Sequence, residues 1–366
     1  MIKKIDLYII KKYLSTFVFT ILMITMIAIA IDFFEKVDKF LAKTVTTESI
    51  IFDYYLNFIP WINGLLWPLF ALLAVIFFTS RMASNSEIIS ILSSGISYRR
   101  IMRPFLISSI LLASLHWVGK NYLIPRSNKI KGEFESEHIR RSNKQTLDEN
   151  THFFINVEDN IEEKIYIKYF RKSDSTATTF RLEKFKDGDL ASIVKSRKLE
   201  YKGPPNHWSL VDYEVHTFDG LDEQLIIHKG ETLDTTFNFT PGDFFRYSNQ
   251  MEMMTTKDLR TFINQEESRG IDTALKFKTE LYGRTADPFT IIILTLMGMA
   301  IASRKIRGGM GYHLAAGVIL GSAFVILQKF SLTFSVNMGM HPMLGAWLPN
   351  IIFGIITYFL VKNAQK

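Results

Sequence analysis

Residues Arg81 to Arg103 read RMASNSEIISILSSGISYRRIMR. The stretch is short and polar, separates two long apolar runs, and carries basic residues at both ends. Ser84 followed by Glu87 fits a capping box, in which each side chain takes up a free backbone N–H at a helix start. At about 100° per residue, Ile88, Ile91 and Leu92 share one side of that helix. Glu87, Ser90 and Ser94 fall beside them on a polar side. Gly95 supplies a left-handed stop. The spacing predicts a helix of roughly three turns over about 84–95, with one apolar face and one carboxylate. Such an element lies across a membrane surface or in a partner's groove. The plainer alternative is an interfacial helix whose Glu87 only caps its own first turn.

Outward from this elbow the sequence turns apolar. Hydrophobic residues make up 48% of the 366, and they are clustered rather than spread. A bilayer span needs about 20 apolar residues. Six runs qualify: Leu14–Phe34, Ile59–Phe78, Ile101–Val118, Pro288–Ala302, Leu314–Phe334 and Leu344–Val361. The fourth is the shortest and needs its flanks to reach across. A signal-peptide reading of the first run rests on Ala28-Ile29-Ala30, but the run is longer than such segments usually are and continues through Ile31, Phe33 and Phe34. The second run holds Pro60, Asn63-Gly64 and Pro68, so a kinked helix leads into the elbow; prolines of this kind are also common in membrane helices.

The net charge of +7 could suggest nucleic acid, but the positions of the charges argue against it. Lys3, Lys4, Lys11 and Lys12 precede span one; Arg81, Arg99, Arg100 and Arg103 flank the elbow; Arg304, Lys305 and Arg307 join spans four and five; Lys362 and Lys366 follow span six. If all six runs cross, these segments share one side, which is the positive-inside pattern with both termini cytoplasmic. The Glu35–Asp53 loop departs from it with Lys36, Lys39 and Lys43.

Residues 121–282 are of another kind. Short alternating runs at His152–Val157, Lys164–Arg171, Thr178–Phe185, Ser192–Tyr201, Trp208–Phe218, Gln224–His228 and Thr232–Phe239 are separated by turn residues such as Lys186-Asp187-Gly188 and Asp219-Gly220. About seven strands at this spacing predict a sandwich or open β-roll, outside the cytoplasm because an odd number of spans precedes it. A helix from about Thr256, its cap, to Ser268 leads back to the membrane. The expected organisation is a helical membrane protein with an inserted β domain: spans 1–3 with the elbow in 1–120, the β domain in 121–282, and spans 4–6 in 283–366.

Little in the chain points to catalysis. There is no G-x-x-x-x-G-K-[ST], H-E-x-x-H or G-x-S-x-G motif. With no cysteine, thiolate chemistry and disulfides are excluded. Gly308-Gly309-Met310-Gly311 follows a span rather than a strand and reads as a tight turn. His116 and His341 read as interfacial residues near the outer face. The reading is a non-catalytic chain with no metal and no cofactor. Charges at membrane depth are more informative, because burying them is costly. Lys36, Lys39 and Lys43 after span one, Lys120 and Arg126 after span three, and Lys329 in span five are candidates to grip anionic lipid headgroups; snorkelling lysines that only anchor helix ends are the plainer reading.

Five short pieces occur in a telling order: Ile5-Asp6-Leu7-Tyr8-Ile9-Ile10-Lys11; Ser86-Glu87-Ile88-Ile89 through Gly95-Ile96-Ser97; Asn121-Tyr122-Leu123-Ile124-Pro125; Leu281-Tyr282-Gly283-Arg284-Thr285-Ala286-Asp287-Pro288; and Ala346-Trp347-Leu348-Pro349-Asn350. Together they resemble the LptF/LptG family of permeases, which extract lipopolysaccharide from the inner membrane of Gram-negative bacteria. The likeness leans to the G member. It implies a periplasmic β-jellyroll between spans three and four, and an F–G heterodimer on a dimer of the LptB ATPase. It also implies transfer of the lipid to LptC and then LptA. It places the coupling helix between spans two and three and its glutamate at Glu87, with Ile88, Ile91, Leu92 and Gly95 around it. Two other readings stay open: a secondary transporter of a lipid or other amphiphile built from two three-helix halves, and a membrane-anchored periplasmic scaffold.

Overall fold

A computed structural model gives the fold. It describes residues 3–41, 45–139, 151–157, 161–171, 174–220, 222–244, 250–268, 274–304, 306 and 309–364. The chain divides into two compact units, one of residues 1–139, 251–259 and 275–366, the other of residues 140–250 and 260–274.

The first unit is helical. Helix α1 (Lys4–Phe40) is one uninterrupted rod of 37 residues, roughly 55 Å at 1.5 Å per residue. The second span joins α2 (Thr47–Ser49), a π-helical turn at Ile50–Tyr55 and α3 (Leu56–Ser84), which contains Pro60 and Pro68. A short helix, α4 (Glu87–Ser93), makes the elbow. The third span runs through α5 (Tyr98–Val118), a π-helical turn at Gly119–Leu123, α6 (Ile124–Phe134) and a second such turn at Glu135–Ile139. After the β domain come α7 (Gln250–Met253), α8 (Thr256–Ser268), α9 (Ala274–Ala302), α10 (Gly309–Asn337) and α11 (Pro342–Ala364). Among the described residues, six helices are long and apolar enough to cross a membrane. The fourth, α9, has 29 residues, so its flanks supply the length its apolar run lacks. Helix α8 is capped by Thr255, one residue before the expected Thr256: the Thr255 hydroxyl accepts from the Asp258 backbone N–H at 3.3 Å.

Lipid tails are as apolar as leucine, so burial does not drive one span against another; close packing and interhelical hydrogen bonds do. Both are present. A Cβ added to Gly345 of α11 would come within 2.5 Å of the Ser335 Cβ on α10, an atom that cannot turn aside, so only a glycine permits that approach. Tyr13 meets Thr295 at 3.1 Å, Thr25 donates to Asn63 at 2.8 Å, and Tyr98 meets Ser303 at 3.1 Å. Bonds of this kind contribute about 0.6 kcal/mol each in membranes. The most apolar stretches of α1 and α10 are the least covered, 17% and 22% buried against 61% for α9.

The second unit holds one antiparallel sheet in the order β1-β2-β3-β4-β5-β6: β1 (Thr151–Val157), β2 (Ile161–Arg171), β3 (Thr176–Lys186), β4 (Asp189–Gly203), β5 (His207–Asp219) and β6 (Asp222–Thr236). Every strand pairs with its neighbour in sequence, which is the open roll rather than the sandwich. Asp187 (φ 52) and Gly188 (φ 94) make the left-handed pair that a two-residue β3–β4 hairpin requires. The last two expected strands are one. The gap between the runs Gln224–His228 and Thr232–Phe239 is a bulge, where the Gly230 N–H donates to Asp212 Oδ1 at 2.8 Å and the pairing of β5 with β6 shifts register without stopping. In water the hydrophobic effect does hold this unit. Ile165, Ile167, Phe180, Leu182, Leu199, Trp208 and Leu210 share a core with Phe237 and Phe239, and Trp208 donates its indole N–H to the Phe239 carbonyl at 3.1 Å.

The elbow differs from its expected form. Ser84 is the last residue of α3, held helical as Asn85 N–H donates to the Arg81 carbonyl at 3.0 Å. An N-cap needs non-helical backbone, so the Ser84–Glu87 capping box does not form. The residue before α4 is instead Ser86, at φ 59, and the helix has 7 residues, about two turns rather than three.

Candidate functional site

Helix α4 is bracketed by two left-handed residues, Ser86 (φ 59) and Gly95 (φ 83). Glycine takes that backbone without strain, whereas a side chain at Gly95 would be disfavoured. Within the helix, Ile88 is 3% exposed and Ile91 packs on the bundle core. The Ile88-Ile89 doublet cannot point both residues inward on a helix, and Ile89, 50% exposed, turns outward with Leu92. The outward face is therefore Ile89 and Leu92 beside serines, and Ile89 is a residue that the spacing argument passed over. Glu87 stands at the edge of that face. Its Oε2 accepts from the Tyr8 hydroxyl at 3.2 Å and its Oε1 from Asn85 Nδ2 at 3.3 Å. Close by, Arg100 grips Asp6 through two parallel bonds of 2.7 and 2.5 Å.

At the opposite end of the bundle, three polar networks form, and π-helical turns supply several of their members. A π turn packs an extra residue into the helix and re-aims its neighbours. Tyr54, Lys120, Asn121 and Glu135 all lie on such turns. Lys36 donates to Asp32 Oδ1 at 2.5 Å and to the Tyr54 hydroxyl, and lies 4.0 Å from Glu135. Lys131 pairs with the same Glu135 at 3.8 Å and sits 3.4 Å from the Trp61 ring centroid. In the second network Lys120 is ion-paired with Asp287, which also accepts from Gln328 at 3.4 Å. In the third, Arg284 is 2% exposed and donates to Glu280 at 3.1 Å, Thr256 at 3.0 Å and the Met251 carbonyl at 2.9 Å, while Thr256 donates to Asn121. Asn350 closes this end, donating to the Ala286 carbonyl and accepting from Thr290, both at 2.8 Å.

The candidate headgroup lysines and arginine thus divide. Lys36 and Lys120 have their charges met by carboxylates inside the protein. Lys39, Arg126 and Lys329 are exposed and make no ion pair with a described residue. Lys43 lies outside the described residues. His116 is not interfacial: it is 2% exposed, against Trp67, and neither ring nitrogen finds a protein partner. Among the described residues no group of His, Asp and Glu is arranged to hold a metal.

The five short sequence pieces fall into two groups in space, one at each end of the bundle. Asp6 and Tyr8 of the first face Arg100 and Glu87 of the elbow; Asn121 reaches Arg284 through Thr256; Ala286 and Thr290 meet Asn350. Comparison with known proteins extends over the whole chain. The family described as lipopolysaccharide export system permease LptF/LptG matches residues 7–363. The lipopolysaccharide export system permease protein LptG of Escherichia coli (strain K12) is 20% identical over 370 residues, 98% of each chain. That of Haemophilus influenzae (strain ATCC 51907 / DSM 11121 / KW20 / Rd) is 20% identical over 376 residues, 100% of each chain. With its six apolar helices, its inserted sheet and a match that leaves out only a few residues at each end, this chain belongs to the lipopolysaccharide export permease family LptF/LptG.

Proposed function

We propose that this protein is a membrane-spanning permease subunit of an ATP-driven complex that lifts lipopolysaccharide out of the inner membrane and hands it to a periplasmic bridge. ATP is hydrolysed by a separate LptB-like dimer, and this chain contributes no catalytic residue. A second LptF/LptG-type permease completes the membrane part, and LptC-like and LptA-like proteins receive the lipid. Both termini and α4 face the cytoplasm, and residues 121–282 face the periplasm. The G-type reading is supported by the relatives named above, which are G members.

The observation that carries this reading is the outward face of α4. Ile89 and Leu92 stand exposed on a two-turn helix between spans, with Glu87 oriented by Tyr8 beside them. A short amphipathic helix suits a groove in a partner, and in a permease the useful partner is one that supplies motion. At the other end, Lys39, Arg126 and Lys329 are the cations free to meet lipid phosphates, as point charges or, for Arg126, through a forked pair of donors. The test is recovery of the tagged protein from its native host in mild detergent. An ATPase is expected to come with it, and Glu87→Ala with Ile89→Ser is expected to lower that recovery. If the intact complex can be isolated and contains no ATPase, the reading is wrong.

A further inference from the structure

If a stroke enters through α4, it needs a stiff path into the bundle. The two covalent exits from α4 are poor ones. Both pass through left-handed single residues, Ser86 toward α3 and Gly95 toward α5. Isolated turns of that kind at element ends are where hinges absorb backbone rotation. The helices beyond them contain prolines, α3 Pro60 and Pro68 and α5 Pro104, and each proline removes a backbone hydrogen bond and is where a helix bends. Helix α1 has no proline in its 37 residues and no break between the elbow end and the far end.

Side chains connect α4 and its exit to the first two turns of α1. Asp6 sits at the third position of α1, is 3% exposed, and has both carboxylate oxygens engaged. Oδ1 accepts from Arg100 Nη1 at 2.7 Å; Oδ2 accepts from Arg100 Nη2 at 2.5 Å and from the Lys3 backbone N–H at 2.7 Å. This forked geometry resists rotation as well as separation. Two residues further on, the Tyr8 hydroxyl donates to Glu87 on α4 itself. Behind these bonds, Ile5, Ile9, Ile91, Ile96 and Ile101 line a cavity of about 40 Å³. Helix α1 is also the least buried of the spans, so it can move with few neighbours to displace.

We infer that the Asp6–Arg100 fork, seconded by Tyr8–Glu87, is the joint that carries motion of the elbow into span one, so that α1 rather than the proline-bearing α3 is the lever reaching the far end. Asp6 and Arg100 are positioning residues. The inference rests on the reading of α4 as the point where the partner's stroke enters.

The test uses the co-purified complex in nanodiscs. The native sequence has no cysteine, so introduced cysteines carry the only labels on this subunit. Spin labels at Phe34→Cys on α1 and Leu344→Cys on α11, both exposed, report the distance between these two spans with and without ATP and vanadate. The unsubstituted joint is expected to show a nucleotide-dependent shift. Asp6→Asn and Arg100→Lys are each expected to abolish the shift. Both should also lower lipopolysaccharide released per ATP hydrolysed by about fivefold or more, a coupling loss of ordinary size, while the ATPase still co-purifies. Asp6→Glu, which keeps a carboxylate, is expected to restore part of both. Persistence of the shift in well-folded Asp6→Asn and Arg100→Lys complexes, alongside its loss in Glu87→Ala, overturns the joint and leaves the elbow standing. An unchanged shift and unchanged export in Glu87→Ala with Ile89→Ser overturns the elbow reading, and the joint with it.

Discussion

Lys120 and Lys329 carry the same charge at the far end of the bundle, and their surroundings give them different work. Lys120 is ion-paired with Asp287, and both side chains are mostly buried. Taking one partner from a buried pair leaves an uncompensated charge, which costs about 3–5 kcal/mol, whereas replacing both with apolar groups of similar volume is often neutral. Lys120→Met or Asp287→Leu alone is therefore expected to lower the unfolding temperature of the detergent-solubilised protein sharply, and the double substitution to recover most of it. Lys39, Arg126 and Lys329 are exposed. Their alanine variants are expected to change stability by no more than about 0.5 kcal/mol and to reduce photocrosslinking to lipopolysaccharide instead. Equal stability losses across all five variants would erase the distinction. The sequence shows that six candidate cations stand near helix ends. It does not show which of them meet carboxylates, because Asp287 is 167 positions from Lys120 and only the packing of α9 beside α5 brings them together.

At the scale of elements, the pairing of β5 with β6 contains a titrating group. His216 Nδ1 lies 2.5 Å from Glu223 on β6, and its Nε2 lies 3.2 Å from both Glu214 and Lys195. Hydrogen bonds to Glu223 and then Glu214 raise the histidine above its ordinary range, against opposing burial and the Lys195 charge. A folded-state value above the unfolded one means that protonation stabilises the fold. That contribution is complete below the unfolded value of about 6.5 and is lost as pH rises through the raised folded value. Amide exchange in β6, corrected for its intrinsic pH dependence, is expected to be slower at pH 6 than at pH 9, and His216→Gln to remove the difference. Slower exchange on the alkaline side in the native protein would contradict the assignment. The strands themselves were legible from alternation and turn residues, and the long spans from apolar length. What misled was local. The gap between the runs Gln224–His228 and Thr232–Phe239 reads as a stop because a glycine inside a strand, here Gly230, looks the same in sequence whether it ends pairing or forms a bulge; only the partner residue, Asp212, decides. Ser84 reads as a cap because hydroxyl spacing does not reveal that α3 runs on beneath it.

For the whole molecule, the deciding question is which side of the membrane each end faces. On the proposed topology, the start of α1, α4, the α9–α10 connection and the end of α11 lie on one side of the membrane and residues 121–282 on the other. The basic residues beside the first group argue that their side is the cytoplasm. The three lysines after span one, Lys36, Lys39 and Lys43, run against that pattern. In the fold, however, α1 is about 55 Å long, well beyond a hydrocarbon core of about 30 Å, and its apolar run ends at Phe34, so residues 35–40 continue the same helix as a charged stretch. Lys36 there is engaged with Asp32 and Tyr54. Lys36 and Lys39 therefore belong to a charged extension of the rod. Single cysteines at Ser90 on α4 and Lys168 on β2, both exposed, turn this into a measurement on a cysteine-free background. An impermeant maleimide added to cells with a permeabilised outer membrane is expected to label Lys168→Cys and spare Ser90→Cys, and in inverted inner-membrane vesicles the pattern is expected to reverse. Labelling of Ser90→Cys from the periplasmic side would put the elbow out of reach of any cytoplasmic ATPase. The joint at Asp6 would then have no stroke to carry.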